Sequence, residues 1–334
     1  MELYLDSVNF KEIDPALELG FLTGLTTTPT FMHREGITDM DSAIKQFSQK
    51  VPILHIEALG NKVESIMDET FRLLDLGLDK TRTVFKIPIS LEGAKACKKL
   101  RNKGLMVNMH LVYTLQQAYI AMCAGATYIC PLVGRLQDQG HDALTMVEDC
   151  VEAVRTYGYP SKIMFSSVRN TEHVRNAIKI GVHACTMPWH VVKQLTQNDF
   201  TDTGKEQFER YTYQLTTKVQ DVMQTENIML RYEATIFDAL IYMTKTKLGA
   251  LIVLDNNDQI YRVFTDGDLR RFLQDKETIN HTKLLDLQPN SPVTIDAEAT
   301  LYEASNLFAE SKVDNIVVLE DDKPVGIIDV HDVI

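Results

Sequence analysis

A lysine inside an apolar run is the first residue of this chain that could do chemistry. Lys86 sits in TVFKIPI between Phe85 and Ile87. Side chains on a strand alternate between two faces, so Lys86 points away from the face its apolar neighbours share. The same alternation recurs elsewhere. Leu3 and Leu5 alternate with Tyr4 and Asp6, Leu54 and Ile56 with His55 and Glu57, and Val107, Met109 and Leu111 with Asn108 and His110. An amine in a desolvated pocket loses basicity and can attack a ketone. The resulting iminium is an electron sink for breaking or making a neighbouring C–C bond. Such chemistry needs a carboxylate to move protons, often through water, and Asp6 and Glu57 are two candidates. A structural ion pair of Lys86 with Asp6 or Glu57 is the plainer alternative.

Phosphate handling has candidates as well. Gly134-Arg135 follows one apolar run, and Ser167-Val168-Arg169 ends the next. Arginine suits a phosphate because its planar group offers paired N–H donors. Two exposed loop arginines would be the alternative.

These residues need elements to hold them. Eight short apolar runs alternate with longer amphipathic stretches: ELYLD, GLTTT, ILHIEAL, TVFKIPI, LMVNMHLVY, TYICPLV, KIMFSSV and HACTM. Segments such as LEGAKACKKLRNKG and TEHVRNAIKIG have helical spacing and end in Gly. Strand and helix alternating in this way predict a parallel (β/α)8 barrel. An open doubly wound sheet is the rival, but no GxGxxG or GxxxxGK[ST] loop supports it. Asp6, Glu57, Lys86, Asn108 and His110 fall late in their runs, near the C-terminal rim where barrel enzymes react. Polar groups on an inner face are costly unless they pair or react.

The remainder sets the frame. A chain of 334 residues suits two domains. The polar segment from Asn198 to about Val222 reads as a closing helix and linker. Beyond it lies an internal repeat, in which Glu233-Ala234-Thr235 corresponds to Glu298-Ala299-Thr300. The expected domains are therefore 1–222 and 223–334, the second a small α+β pair of about 223–280 and 281–334. No run approaches the roughly 20 apolar residues of a membrane span, and MELYLDSVNF lacks the form of a signal peptide. Five cysteines, odd in number and without metal-type spacing, read as free thiols, so a cytoplasmic protein without a metal or other cofactor is expected. A net charge of −12 argues against nucleic acid or an anionic membrane as partner.

These motifs resemble the transaldolase and fructose-6-phosphate aldolase family over residues 1 to about 220. MELYLDS is similar to the opening of the short, barrel-only members, which implies a catalytic Asp at Asp6. LTTTP resembles TTNP, which implies substrate-binding roles for Thr26 and Thr28. VFKIPIS resembles the strand of the Schiff-base lysine, hence Lys86. ILHIEAL resembles the strand that places a water-holding Glu, hence Glu57. NMHLVY falls on N-L-T, placing Asn108 against the substrate and His110 where the family has Thr. CPLVGR resembles SPFVGR and SSVRN resembles ASFRN, so Cys130, Arg135, Ser167 and Arg169 fall on substrate- and phosphate-binding positions. The resemblance implies an aldolase or transaldolase acting on a phosphorylated ketose. Thr28 for Asn, His110 for Thr and Cys130 for Ser imply that this ketose is neither fructose 6-phosphate nor sedoheptulose 7-phosphate. A degenerate barrel acting as a non-catalytic sensor or scaffold is the alternative.

The repeat resembles a CBS-domain pair, and FTDGDLRR is similar to the form in arabinose-5-phosphate isomerases and some sugar nucleotidyltransferases. That resemblance implies an adenine- or sugar-nucleotide partner at Thr265 and Asp268. The second copy keeps Asp332 but lacks the Thr. A dimerisation module is the alternative. Rings among barrel-only relatives and dimers among CBS pairs imply a homo-oligomer.

Overall fold

Alternation along the apolar runs becomes a closed parallel barrel in the computed structural model, which describes residues 1–274 and 279–333. Its strands, in order around the barrel, are β1 (Glu2–Asp6), β2 (Gly24–Thr26), β3 (Leu54–Glu57), β4 (Thr83–Pro88), β5 (Met106–Val112), β6 (Tyr128–Pro131), β7 (Lys162–Phe165) and β8 (Ala184–Met187). Each lies within one of the eight runs read from the sequence. Leu5, Ile56, Phe85, Ile87, Val107 and Met109 face outward into the core shared with the helices. Tyr4, Val84, Tyr128, Cys130, Met164 and Ala184 pack together as a second, inner cluster. Strand parity therefore separates two environments, as period-2 patterning requires.

The helices begin and end on local signals. Ser90, Thr114 and Asn170 cap the helices Leu91–Asn102, Leu115–Cys123 and Thr171–Ile180 by accepting from backbone N–H groups at 2.9, 3.2 and 3.0 Å. Gly181 ends the last of these with φ of +77°. At Gly24, a β-carbon would lie 2.1 Å from the Ile53 carbonyl oxygen, so β2 approaches its neighbour too closely for any other residue.

A polar cluster joins strands at the N-terminal end of the barrel. The hydroxyls of Tyr4 and Tyr128 lie 2.9 Å apart, Tyr128 donates to Glu2 at 2.9 Å, and Lys162 pairs with Glu2.

The chain divides into two units, Met1–Gln197 and Asn198–Ile334. Thus the segment read as the barrel's closing helix and linker belongs with the second unit. Its helix, Asp199–Thr216, buries no residue, and Gln214 donates to the Val333 carbonyl at 2.7 Å. Val219 enters a core with Ile295, Leu301 and Ile316. This placement is tertiary, and a polar helix carries little signal for it.

The second unit repeats one pattern twice. β9 (Met229–Arg231) pairs parallel with β10 (Ala250–Leu254), which pairs antiparallel with β11 (Ile260–Thr265). β12 (Thr294–Asp296), β13 (Asn315–Glu320) and β14 (Lys323–Asp329) do the same. The repeated Thr235 and Thr300 both form capping boxes, with Asp238 and Glu303. Ile228, Ile252 and Val263 of one half pack with Val317 and Ile327 of the other, so neither half completes its core alone.

Candidate active site

The register of β3, β4 and β5 sets Glu57, Lys86 and Asn108 side by side on the inner face. Lys86 is 5% exposed. Its amine donates to the Thr27 carbonyl at 2.7 Å and lies 3.3 Å from Glu57 Oε1. The other Glu57 oxygen lies 2.9 Å from His110 Nε2. His110 is two residues further along β5 than Asn108, within a bulge against β6 between Met109 and Val112, with Leu111 at φ of +54°. That bulge bends the strand at the rim beside the site.

On the other side, Asp6 accepts from Thr26 Oγ1 at 2.8 Å, and Thr26 Oγ1 lies 2.5 Å from Thr186 Oγ1. Asp6 is half-buried. Enclosure by the barrel pushes its carboxyl above the usual range, against the opposing pull of Lys86 and the Thr26 hydrogen bond. Burial acts on Glu57 in the same direction, but the Lys86 charge and His110 override it and hold Glu57 below the usual range. The two carboxyls are thus driven apart, one toward holding a proton and one toward releasing it. Burial lowers the His110 imidazole, with Glu57 opposing and Lys86 and Arg135 adding to the fall. Burial also pushes the Cys130 thiol up to about 11, which keeps it a neutral wall group.

Arg135 and Arg169 are exposed at the rim. Arg135 donates to the Tyr113 hydroxyl at 3.1 Å, and Arg169 pairs with Asp138 at 2.9 Å. A β-carbon on Gly134 would lie 2.0 Å from the Ser167 carbonyl and 3.0 Å from Arg169 Nε. Glycine therefore lets the two loops meet, with Ser167 itself at φ of +58°. Thr28 has a local job: its hydroxyl caps the helix Pro29–Arg34 by accepting from Phe31 N at 3.2 Å.

Sequence reasoning missed three inner residues. Thr27 supplies the carbonyl that holds Lys86, and its own hydroxyl donates to the His55 carbonyl at 3.0 Å. Thr186 joins Thr26. His55 lies 3.1 Å from the Asn108 amide through Nδ1. Parity alone puts Thr186 and His55 inside, alternating with Cys185 and Ile56 of the outer core. Thr27 acts through its backbone, for which side-chain identity carries no signal. No group of three or more His, Cys, Asp or Glu among the described residues could hold a metal.

In the second unit a cleft of about 900 Å³ is lined by Thr265, Asp266, Arg270, Arg271, Lys312 and Asp314, among others. Thr265 thus falls where a ligand could reach it, whereas the described lining includes neither Asp268 nor Asp332. Asp268 accepts from the Thr265 N–H at 2.9 Å and from Arg271 at 2.7 Å, and lies 3.2 Å from Arg262. Asp332 likewise accepts from the Asp329 N–H at 2.9 Å. Both aspartates secure the turn after the last strand of their half.

Residues 286–334 match the CBS domain model. The CBS domain of a membrane protein from Sphaerobacter thermophilus aligns over 40% of this chain and 95% of its own, at 15% identity and a TM-score of 0.34. A CBS domain protein from Pyrobaculum aerophilum complexed with AMP aligns over 35% of this chain and 89% of its own, at 16% identity and a TM-score of 0.32. A probable transaldolase of Shouchella clausii (strain KSM-K16) is 37% identical over 209 residues, covering 62% of this chain and 95% of the relative. One of Desulforudis audaxviator (strain MP104C) is 36% identical over 210 residues, covering 62% and 95%. Residues 3–282 match the model described as Transaldolase/Fructose-6-phosphate aldolase, a span that holds every barrel strand and runs on into the second unit, and the chain belongs to that family.

Proposed function

We propose that the barrel is a Schiff-base enzyme that makes or breaks a C–C bond of a phosphorylated ketose. The observation that carries this reading is the buried Lys86 amine, held between the Thr27 carbonyl and Glu57 with a second carboxyl, Asp6, on the same inner face. In this reading the amine attacks the ketone, water leaves, and the iminium accepts the electron pair of the breaking bond. Asp6, pushed toward its protonated form, gives and takes protons at the reacting oxygen. Glu57 stays ionised, positions the amine and holds water. His110 joins this proton transfer through Glu57. Arg135, Ser167 and Arg169 take the phosphate at the mouth, while Thr26, Thr28, Asn108 and Cys130 line the substrate. The sugar is a ketose other than fructose 6-phosphate or sedoheptulose 7-phosphate, and the protein works in the cytoplasm as a homo-oligomer.

Regulation is proposed for the cleft of the second unit. Arg270, Arg271 and Lys312 suit the phosphates of an adenine or sugar nucleotide, with Thr265 as a further contact. Asp268 and Asp332 take part by holding the turns that present these groups, or by exchanging a present partner for ribose hydroxyls.

The test is borohydride trapping with a panel of ketose phosphates, read by intact mass and peptide mapping. A stable adduct on the peptide around Phe85-Lys86-Ile87, absent in Lys86→Ala, supports the reading. An adduct that survives Lys86→Ala assigns the chemistry to another amine, and no adduct with any ketose leaves the barrel a non-catalytic sensor. A thermal-shift panel of nucleotides tests the cleft, with about 2.7 kcal/mol of stabilisation expected at a hundredfold excess over Kd.

A further inference from the structure

His55 is fully buried inside the barrel and has no part in the chemistry above. Its ring lies edge-on to Tyr4 and Tyr128, with centroids 4.8 Å from each. Its Nδ1 lies 3.1 Å from the Asn108 side-chain amide. Asn108 is also fully buried and neighbours Lys86 in register. Two polar atoms of this pair, His55 Nε2 and Asn108 Oδ1, are buried with no hydrogen-bond partner.

Those two vacancies are linked. Burial, with the Lys86 charge adding, drives the His55 pKa well below its usual value, so the imidazole is neutral and has one donor and one acceptor. If Nδ1 accepts, the proton is on Nε2 and the Asn108 nitrogen faces the ring. The second amide hydrogen then has Met164 Sδ at 3.7 Å, and the amide oxygen and the Nε2 proton are left free. If Nδ1 donates instead, the amide turns over and both its hydrogens lose their partners. The first arrangement leaves one buried donor, Nε2–H, without a partner and the second leaves two, and buried donors without partners are rare, so the first is favoured. The amide oxygen that it leaves free belongs to the residue beside the reactive amine. A substrate hydroxyl on the carbon next to the iminium would fill it.

We propose that His55 is a positioning residue: it holds Asn108 with its amide oxygen free beside Lys86, and thereby selects ketones that carry a hydroxyl next to the carbonyl. This deepens the Schiff-base reading and rests on it. His55 acts only through Asn108 and does not touch the reacting atoms.

The probes are hydroxyacetone, which has that hydroxyl, and acetone, which lacks it. With either ketone, Lys86 loses water to form an iminium, and hydride from borohydride adds to its carbon to leave a stable secondary amine. The readout is the ratio of the two half-saturation concentrations for trapping on the full-length protein. The wild type should prefer hydroxyacetone, and His55→Phe should narrow that preference about tenfold, the factor one neutral hydrogen bond is worth. His55→Gln, whose amide oxygen can accept from Asn108, should restore most of it. Combining His55→Phe with Asn108→Leu should add nothing to Asn108→Leu alone. A His55→Phe protein that traps both ketones with the wild-type ratio overturns the inference and leaves the Schiff base standing. A parallel loss on both ketones without rescue by Gln also overturns it, because that is what simple damage to the barrel gives. Failure of the wild type to trap either ketone, or equal trapping of both, overturns the inference, while the Schiff-base reading is decided separately by trapping with the ketose phosphates.

Discussion

The two units handle charge in opposite ways. Inside the barrel, Lys86, Glu57 and His110 are buried and lie against one another, while Asp6 is held by Thr26. In the second unit, Arg270, Arg271 and Lys312 stand with Asp266 and Asp314 around a cleft that is open to solvent. Buried charges interact strongly and can shift one another's protonation, which suits bond chemistry on a small ligand. Exposed charges are screened and exchange partners readily, which suits reversible binding of an anion. On this contrast, substitutions inside the barrel should change rate by orders of magnitude. Those at the open rim and in the cleft should change affinity.

The largest effects should come from the inner face. Lys86→Ala should abolish turnover. Asp6→Asn and Glu57→Gln should each lower kcat by about 10² to 10⁴, the range for a positioned acid or base, with a smaller change in KM. Steady-state kinetics with the ketose found by trapping measures this split. A loss confined to KM would place these carboxyls in binding instead.

At the rim the contrast predicts affinity effects. Arg135→Ala and Arg169→Ala should each raise KM for the phosphorylated ketose by roughly 1.5–3 kcal/mol per lost charge-assisted contact. The non-phosphorylated analogue should respond much less. Because Arg169 already pairs with Asp138, its substitution should show the smaller effect of the two. Equal losses on both analogues would remove the phosphate role.

Much of the barrel was legible because one rule, strand parity, fixes both what packs outside and what faces inside. Asp6, Glu57, Lys86, Asn108 and His110 all lie on the face that parity assigned them, and the same rule applied to HACTM and ILHIEAL would have added Thr186 and His55. Thr27 was out of reach because its carbonyl holds Lys86, and any residue has a carbonyl. The repeat after residue 223 was legible through Thr235 and Thr300, whose capping boxes recur at the same offset. The turn hydrogen bonds of Asp268 and Asp332 were not, since an aspartate three residues after a strand end suits a capped turn as well as a ligand contact. The helix Asp199–Thr216 joins the second unit without burying a residue, so no apolar stripe announced its allegiance.

A smaller effect tests whether the two carboxyls really pull in opposite directions. Asp6 has a folded-state pKa above its ordinary 3.8. Its contribution to stability is present below that ordinary value and is lost as pH rises through the folded one, so ionised Asp6 opposes folding at neutral pH. Glu57 is shifted the other way from 4.5. Its contribution is present above 4.5 and is lost as pH falls through its lower folded value. At neutral pH, Asp6→Asn should therefore raise Tm, by about 0.5–2 kcal/mol of stability, as removal of a strained functional group commonly does. Glu57→Gln should lower Tm, and its deficit should shrink on acidification. Thermal melts of both variants across pH decide the matter, and shifts of the same sign would contradict the opposed environments.

The smallest expected change belongs to His110, because at neutral pH it should already be in the state it works in. Burial lowers its pKa below the ordinary 6.5 against the pull of Glu57, so the imidazole is neutral near pH 7. Its Nε2 lies 2.9 Å from Glu57, whose other oxygen lies 3.3 Å from the Lys86 amine. A neutral imidazole in that place can pass a proton to or from Glu57, or simply fill volume. If it passes protons, kcat should fall along a limb below pH 6.5 as His110 becomes charged, and His110→Thr should remove that limb. At pH 7.5 the same substitution should cost only a few-fold in kcat, about 1 kcal/mol or less on the transition-state scale. Thr28→Asn can be added without losing the helix start, since asparagine caps at least as well as threonine. The double variant should gain activity on fructose 6-phosphate or sedoheptulose 7-phosphate, because the imidazole bulk leaves and an amide arrives next to Thr27, whose carbonyl holds the amine. A wild-type profile flat below pH 6.5 and unaltered by His110→Thr would reduce His110 to packing, and substrate choice would then rest on other groups of the inner face.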